Sequence, residues 1–425
     1  MKLNKLIPAT LVALMGAAGL TGCGGNNPNE LIVWATAAEE AVINDVLVEY
    51  NKTVGDDEKL SVKYVAVAEG DTGTEVAKDP TASSAPDLFL CADDHIYNLQ
   101  SKNIVLDITK DYGSKVKAAV TENAYLGASY NNKLYGFPVT NDNGYFLWYN
   151  KDKLGEDDVA DLETLLKAAK DANAKVLFDI ANGWYVPSFF FAPEVCGVES
   201  LRFKQNADGD VVYTVNWDND NGVAAAEAVR EICKTYAKNL ATGNNDVIVE
   251  GFKTGSIVAA VSGTWMLEDL KGAIGDNLAA CKLPTFKVGD EDAQMATFAG
   301  SKVYCINQQK SGDVNVAKRA KAVKFADYLT QKAAQLTRFT KRATIPCNNE
   351  ALKDSAYTKN INIAGKALLE QFEAASAVQS LSAEGRYWDV GKAIGQALLD
   401  GKLGSSTATW KTFLKAQCDI LRNPA

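Results

Sequence analysis

What most constrains this chain is a run of short apolar segments that alternate with amphipathic helical ones. Leu31-Ile32-Val33-Trp34 is the first. Behind it Val42, Ile43, Val46, Leu47 and Tyr50 recur at helical spacing. Leu60 to Val67 alternates as a strand does, and Leu88-Phe89-Leu90-Cys91-Ala92 is a further apolar run, introduced by the turn pair Pro86-Asp87. Strand, helix, strand, helix, strand is the pattern of a parallel sheet with helices on its faces, so the fold class is α/β.

The pattern continues through the second half. Asn131-Asn132 is the turn of a hairpin from Tyr130 to Pro138. Tyr145-Phe146-Leu147-Trp148-Tyr149 is a buried strand, with a helix at Leu162, Leu165, Leu166 and Ala169 after it. Val176-Leu177-Phe178 is another strand, and Asp208-Gly209 turns a hairpin that ends in Val211 to Val215. The helix from Gly222 buries Val223, Ala226, Val229 and Cys233, and Ile257 to Val261 is one more buried strand.

The ends of these strands carry the chemistry. The run at Leu88 breaks off into Asp93-Asp94-His95, and the others lead into Trp34, Trp184 and Trp265. In open α/β sheets, ligands bind outside the carboxyl ends of the strands. On its own, the carboxylate pair reads equally well as a helix cap or as a ligand contact. Each tryptophan alone is ordinary core material. Taken together, aromatic plates suit the apolar face of a sugar ring, and carboxylates accept hydrogen bonds from its hydroxyls. The mixture points to a carbohydrate cleft.

Met1 to Gly22 reads as a leader rather than as fold. Lys2 and Lys5 precede an apolar stretch from Leu11 to Leu20 that is too short to span a membrane. It runs into Leu20-Thr21-Gly22-Cys23, which resembles the bacterial lipobox, so Cys23 is the expected lipidation site, 1–22 the leader and 23–29 a tether. The expected location is the extracytoplasmic face of the cell membrane, held there by lipid alone. The net charge is −9, and more negative without the two leader lysines. Such a body repels nucleic acid and anionic headgroups, so neither is expected as a partner. A chain of 425 residues exceeds what one core usually serves, and two lobes are expected.

Catalytic and metal motifs are scarce. His95 is the single histidine, no GxSxG elbow accompanies it, and multi-histidine metal sites are impossible. Neither GxGxxG nor GxxxxGK[ST] is present. Asp218-Asn219-Asp220-Asn221-Gly222 echoes a calcium loop, but its glycine comes one place early and Val229 stands at position 12. A helix cap explains it better. Cys23 set aside, seven cysteines remain in no CxxC spacing, and most read as small core residues. No metal or cofactor is expected.

The segments LIVWATAAEE, APDLFLCADD, NNKLYGFPVTNDNGYFLWYNKDKL, EGFKTGSIVAAVSGTW, KLPTF and GRYWDV, in this order, make the chain resemble the extracellular solute-binding proteins of ABC importers, in the maltodextrin-binding subgroup. The resemblance spans nearly all of the chain after the leader. It implies a two-lobe periplasmic-binding-protein fold of type II, with the ligand cleft between lobes and about three hinge crossings. By motif the crossings fall near Val139 to Gly144, Lys282 to Phe286, and Arg342 to Cys347. Lobe 1 is then 30–140 plus 286–342, and lobe 2 is 141–285 plus 343–425.

Carried over residue by residue, the resemblance implies that Asp94, Glu39 and Asp142 bind sugar hydroxyls. It implies that Trp184, Trp265 and Trp388 stack on successive rings, with Tyr185 beside them. Asp93 keeps the cap. Cys91 stands where the subgroup often has tryptophan, His95 where it often has arginine, and the crossing at Asp142 is one residue longer. These departures bear on the sugar's length and linkage. The implied function is a monomeric, non-enzymatic receptor that delivers oligosaccharide to ABC permease subunits. Two alternatives stand: a surface glycoside hydrolase pairing Asp94 with Asp142, and the same fold serving another solute.

Overall fold

The computed structural model describes residues 27–68, 70–205, 211–382, 385–404 and 406–423. The leader, Cys23 and the hairpin tip at Asp208-Gly209 lie outside the described residues. Two five-stranded mixed sheets organise the molecule. In the first, the strands run in the order Ser61–Ala66, Glu30–Ala35, Leu88–Ala92, Lys302–Ile306 and Phe137–Pro138. The first three are parallel, and Lys302–Ile306 is antiparallel to both of its neighbours. The second sheet runs Leu240–Ala241, Lys175–Leu177, Ile257–Ser262, Phe146–Asn150 and Leu278–Cys281. It too begins with three parallel strands, and Phe146–Asn150 lies antiparallel to both of its neighbours. The result is the two-lobe α/β fold expected.

Local chemistry explains the elements. Leu88–Ala92 is buried along its whole length, as a strand covered on both faces must be. Glu40–Lys52 buries Val42, Ile43, Val46 and Tyr50 on one face. Asn131 and Asn132 both take positive φ (48° and 61°), the geometry of a tight hairpin turn between Ser129–Tyr130 and Lys133–Leu134. Asn219 Oδ1 accepts the Gly222 N–H and so caps the helix Asp220–Thr235, which accounts for the calcium-like echo. Among the described residues, no group of three His, Cys, Asp or Glu is gathered as a metal site. No described helix is long and apolar enough to cross a membrane.

Three segments link the sheets side by side. Val139 N donates to Lys302 O (2.9 Å), and Asn143 and Gly300 exchange backbone hydrogen bonds of 3.1 and 2.8 Å. Asn141 N donates to Ile345 O at 2.9 Å. The second link is therefore Gly300-Ser301, not Lys282 to Phe286. Thr285–Val288 and Glu291–Gln294 form a hairpin, and Phe286 is fully buried with its ring 5.2 Å from that of Phe189. Thr297–Ala299 then pairs with Ser376–Val378. Burying Phe286 on the second-sheet side carries the chain about fifteen residues further before it returns to the first sheet.

The seven described cysteines are free. Cys91 and Cys305 meet at 3.9 Å between neighbouring strands, and Cys91 is fully buried in the core instead of facing a cleft.

Candidate functional site

The buried strand Leu88–Ala92 ends in a tight turn, Asp93–His95. Asp93 is fully buried. Its Oδ2 accepts the Ser301 N–H at 3.0 Å, and its own N–H donates to Ser301 O at 3.0 Å. It caps no helix, contrary to expectation; it clasps the second link between the sheets. Gly127 lies so close that a Cβ there would stand 2.4 Å from Asp93 Oδ2. Burial, reinforced by the charge of Asp94, pushes the Asp93 carboxyl up to about 8, against the opposing pull of the Ser301 N–H and Lys302.

Three buried polar atoms at this strand end have no partner among the described residues: Asp93 Oδ1, Asp94 Oδ1 and Ser301 Oγ. Buried polar groups are normally hydrogen-bonded, so a cluster of unsatisfied ones marks a place that a ligand or water completes. Asp94 Oδ1 is one of these atoms, at the end of the strand Leu88–Ala92.

Glu39 is fully buried, and both its oxygens are taken. Oε1 accepts from Arg338 Nε (2.7 Å), Arg338 Nη2 and the Tyr304 hydroxyl (3.2 Å), and Oε2 accepts from Arg342 Nη1 at 2.5 Å. Burial alone would raise its pKa; the two guanidiniums overcome this and hold it below the usual carboxylate range. Glu39 thus spends both carboxylate oxygens on groups of the protein itself.

A cavity of about 180 Å³ lies where the links meet the second lobe, and it joins Asp142 with Trp265. Asp142 is nearly buried, and its Oδ1 accepts the Thr140 hydroxyl at 2.7 Å. Trp265 follows the strand Ile257–Ser262 in the turn Thr264–Met266 and is 43% exposed, unlike most large apolar side chains here. Its ring lies over Gly263, where a Cβ would come within 2.0 Å of it, so that pose requires glycine. The charged groups lining the cavity are two acids, Asp142 and Glu268, and two bases, Lys302 and Arg342. The balance suits a neutral polar solute better than an anion.

The other aromatic candidates form a separate plate in the second lobe. Trp184 is half-buried, with ring centroids 5.7 Å from Tyr145 and 5.2 Å from Phe298. Trp388 is half-buried beside Tyr387 at 5.3 Å, and its backbone lies against Gly183. Tyr185 packs 4.9 Å from Tyr145, and burial pushes its hydroxyl up to about 12. It lines a second cavity, of about 450 Å³, with Asp179 and Asn182. The first cavity thus gathers two of the expected residues, Asp142 and Trp265. Asp94, Trp184, Tyr185 and Trp388 are not among the residues that line it. Lys302 and Arg342 were not anticipated as lining residues. The signals available were the polar Gly300-Ser301-Lys302 break before an apolar run, and the placement of Arg342 at a predicted crossing.

The profile of the bacterial extracellular solute-binding protein family matches residues 46–365. None of the curated proteins compared matches the chain. Among solved structures, a maltodextrin-binding protein of L. casei BL23 without ligand is similar at 19% identity and TM-score 0.77, over 93% of this chain and 99% of that one. A cyclo/maltodextrin-binding protein complexed with maltotetraose is similar at 21% identity and TM-score 0.71, over 93% and 98%. The Thermus thermophilus maltotriose-binding protein, bound with maltotriose, is similar at 18% identity and TM-score 0.68, over 92% and 99%.

Proposed function

The chain belongs to the bacterial extracellular solute-binding proteins, and from that premise we propose that it is the receptor of a carbohydrate ABC importer, binding maltose- or maltodextrin-type oligosaccharide. The observation that carries this reading is the cavity at the links, which an exposed Trp265 lines together with two acidic and two basic side chains. The solved neighbours named for maltodextrin, maltotetraose and maltotriose support the sugar class through their shared fold. The unsatisfied oxygens at Asp93 and Asp94 supply a second set of acceptors on the first lobe.

The mechanism is closure. A solute that touches both lobes favours the closed form only through its differential affinity for that form. Taking a population from 1:99 to 99:1 requires roughly 5 kcal/mol. Aromatic stacking at ~1 kcal/mol per ring, with hydrogen bonds to charged groups at ~1.5–3 kcal/mol each, supplies it. The closed form docks on permease subunits while Cys23, lipidated, keeps the monomer at the extracytoplasmic membrane face. This last part rests on the lipobox and on family analogy.

Calorimetric titration of the purified chain with maltose, maltotriose, trehalose and a panel of non-sugars tests the reading. The expected result is saturable binding of at least one glucose oligomer, with the sugar recovered intact. Binding only outside the sugars removes the substrate class and leaves the fold; turnover of maltotriose removes the receptor role.

A further inference from the structure

Beside the cavity at Trp265 lies a larger one, of about 770 Å³. The two share Leu267, Glu268, Ala343 and Asn362 as lining residues, so one wall serves both. The helix Leu267–Ile274 leaves the turn that holds Trp265 and forms one side of the larger groove. At about 1.5 Å per residue it runs ~12 Å, and Gly275 and Asp276 lie at its far end. Phe339 and Thr340, near the end of the helix Lys332–Arg342, form the other side with Asn360, Asn362 and Ile363. We propose that this groove binds the continuation of the solute: a linear gluco-oligosaccharide with one ring on Trp265 runs on along the helix Leu267–Ile274. The site is then built for chains of several rings rather than for a disaccharide. The proposal rests on the sugar reading above and sharpens it to chain length.

Three observations converge on it. The first is apolar surface. Large apolar side chains are exposed at six described positions, and two of these, Trp265 at 43% and Ile363 at 39%, stand on the walls of these adjoining cavities. Leu267, Leu278 and Phe339 add to the apolar lining, and exposed apolar surface gathered in one place marks a binding groove. The second is polar capacity. Lys151, Glu268, Lys271 and Asp276 line the groove, and among the described residues none of them forms an ion pair. In the smaller cavity, by contrast, Asp142, Lys302 and Arg342 are already bonded to Thr140, Asn143 and Glu39. Two acids and two bases leave the groove neutral, so a charged peptide gains little there. A carboxylate accepts, an ammonium donates and a hydroxyl does both, so the edges of a glucan satisfy either kind of group while its ring faces cover the apolar lining. The third is size. At ~30 Å³ per water the smaller cavity has room for roughly six waters, the scale of one sugar ring, and the larger for roughly 25, the scale of four.

The test is calorimetry with maltose, maltotriose and maltopentaose on the full chain, with a thermal melt of each protein. Two variants fill the groove from opposite sides at exposed helix positions, Lys271→Trp and Thr340→Trp. The wild-type Kd should fall at least tenfold from maltose to maltopentaose. Each variant should raise the Kd of maltopentaose at least fivefold, leave that of maltose within twofold, and keep the wild-type melting temperature. Equal wild-type affinity for maltose and maltopentaose overturns the proposal and leaves the sugar reading standing. Folded variants that bind maltopentaose as the wild type does, or that lose maltose to the same degree, overturn it as well. A wild-type chain that binds none of the three sugars defeats the sugar reading itself and this proposal with it.

Discussion

Glu39 and the Asp93-Asp94 pair occupy the same kind of place. Each follows a neighbouring parallel strand of the first sheet, Glu30–Ala35 and Leu88–Ala92, and each sits in a short turn at the carboxyl end. Their electrostatics are opposite. Glu39 has two guanidiniums and a tyrosine hydroxyl around it, and its pKa is lowered. Asp93 is buried beside the charge of Asp94 and its pKa is raised, and each of the two has an oxygen without a partner among the described residues. The lesson is that a strand-end address alone does not distinguish an acid already used by the fold from one with hydrogen-bonding capacity to spare among the described residues. An acid whose lone pairs are already filled is structure.

The largest effect should come from breaking the satisfied member. Glu39→Gln leaves Arg338 buried without its carboxylate, a situation that costs about 3–5 kcal/mol. Chemical denaturation at neutral pH reads this directly; a loss below 1 kcal/mol would mean that the two strand ends do not differ as described.

The pH dependences should also have opposite signs. Glu39 titrates lower in the folded chain than unfolded, so its contribution is present above the unfolded value near 4.5 and is lost as pH falls through the folded one. Asp93 titrates higher, near 8 against 3.8. Its protonated form is the one that folding favours. That contribution is complete below about pH 4 and disappears as pH rises through 8. Asp93→Asn keeps an acceptor for the Ser301 N–H and removes the titration. It should stabilise the fold at pH 8 by an amount on the order of a few kcal/mol and flatten the stability profile between pH 4 and 8. An unchanged slope would locate the pH dependence in another group.

This contrast also shows what could and could not be read from the sequence. The alternation of apolar runs and amphipathic helices was legible because it is local, and so was the Asn131-Asn132 turn, which needs only two residues able to take positive φ. The partners of the strand-end acids were not. Arg338 and Arg342 lie 299 and 303 residues from Glu39, and Ser301 lies 208 from Asp93. Nothing near Glu39 in sequence announces two guanidiniums. The second link was misplaced for a similar reason: Phe286 finds its burial against Phe189, a contact that no local pattern encodes. The exposure of Trp265 was equally invisible, since an exposed and a buried tryptophan look alike in a string of letters.

Asp94 sharpens the comparison on the ligand side. Its Oδ1 is buried without a partner among the described residues, so Asp94→Asn should leave the melting temperature nearly unchanged while weakening sugar binding. A hydrogen bond to a charged acceptor is worth ~1.5–3 kcal/mol, roughly a ten- to hundredfold rise in Kd. A variant that loses stability but keeps affinity would put Asp94 in the same class as Glu39.

The smallest effect expected is at Trp265, and it asks whether the rule of unsatisfied capacity extends to an apolar group. An exposed indole is the apolar analogue of an orphaned oxygen: surface that burial would stabilise, left open at 43% exposure beside Asp142. Trp148 is the control, fully buried in the neighbouring strand Phe146–Asn150 with Nε1 donating to Gly263 O at 3.1 Å. Truncating Trp148 should unfold the lobe, by ~3–5 kcal/mol. Truncating Trp265 removes one stacking face, so Trp265→Ala should raise the Kd about tenfold, or ~1.4 kcal/mol, and shift the melting temperature little. If calorimetry finds the affinity unchanged, the indole packs on Gly263 for its own sake, and the cavity would have to recognise its solute by polar contacts alone.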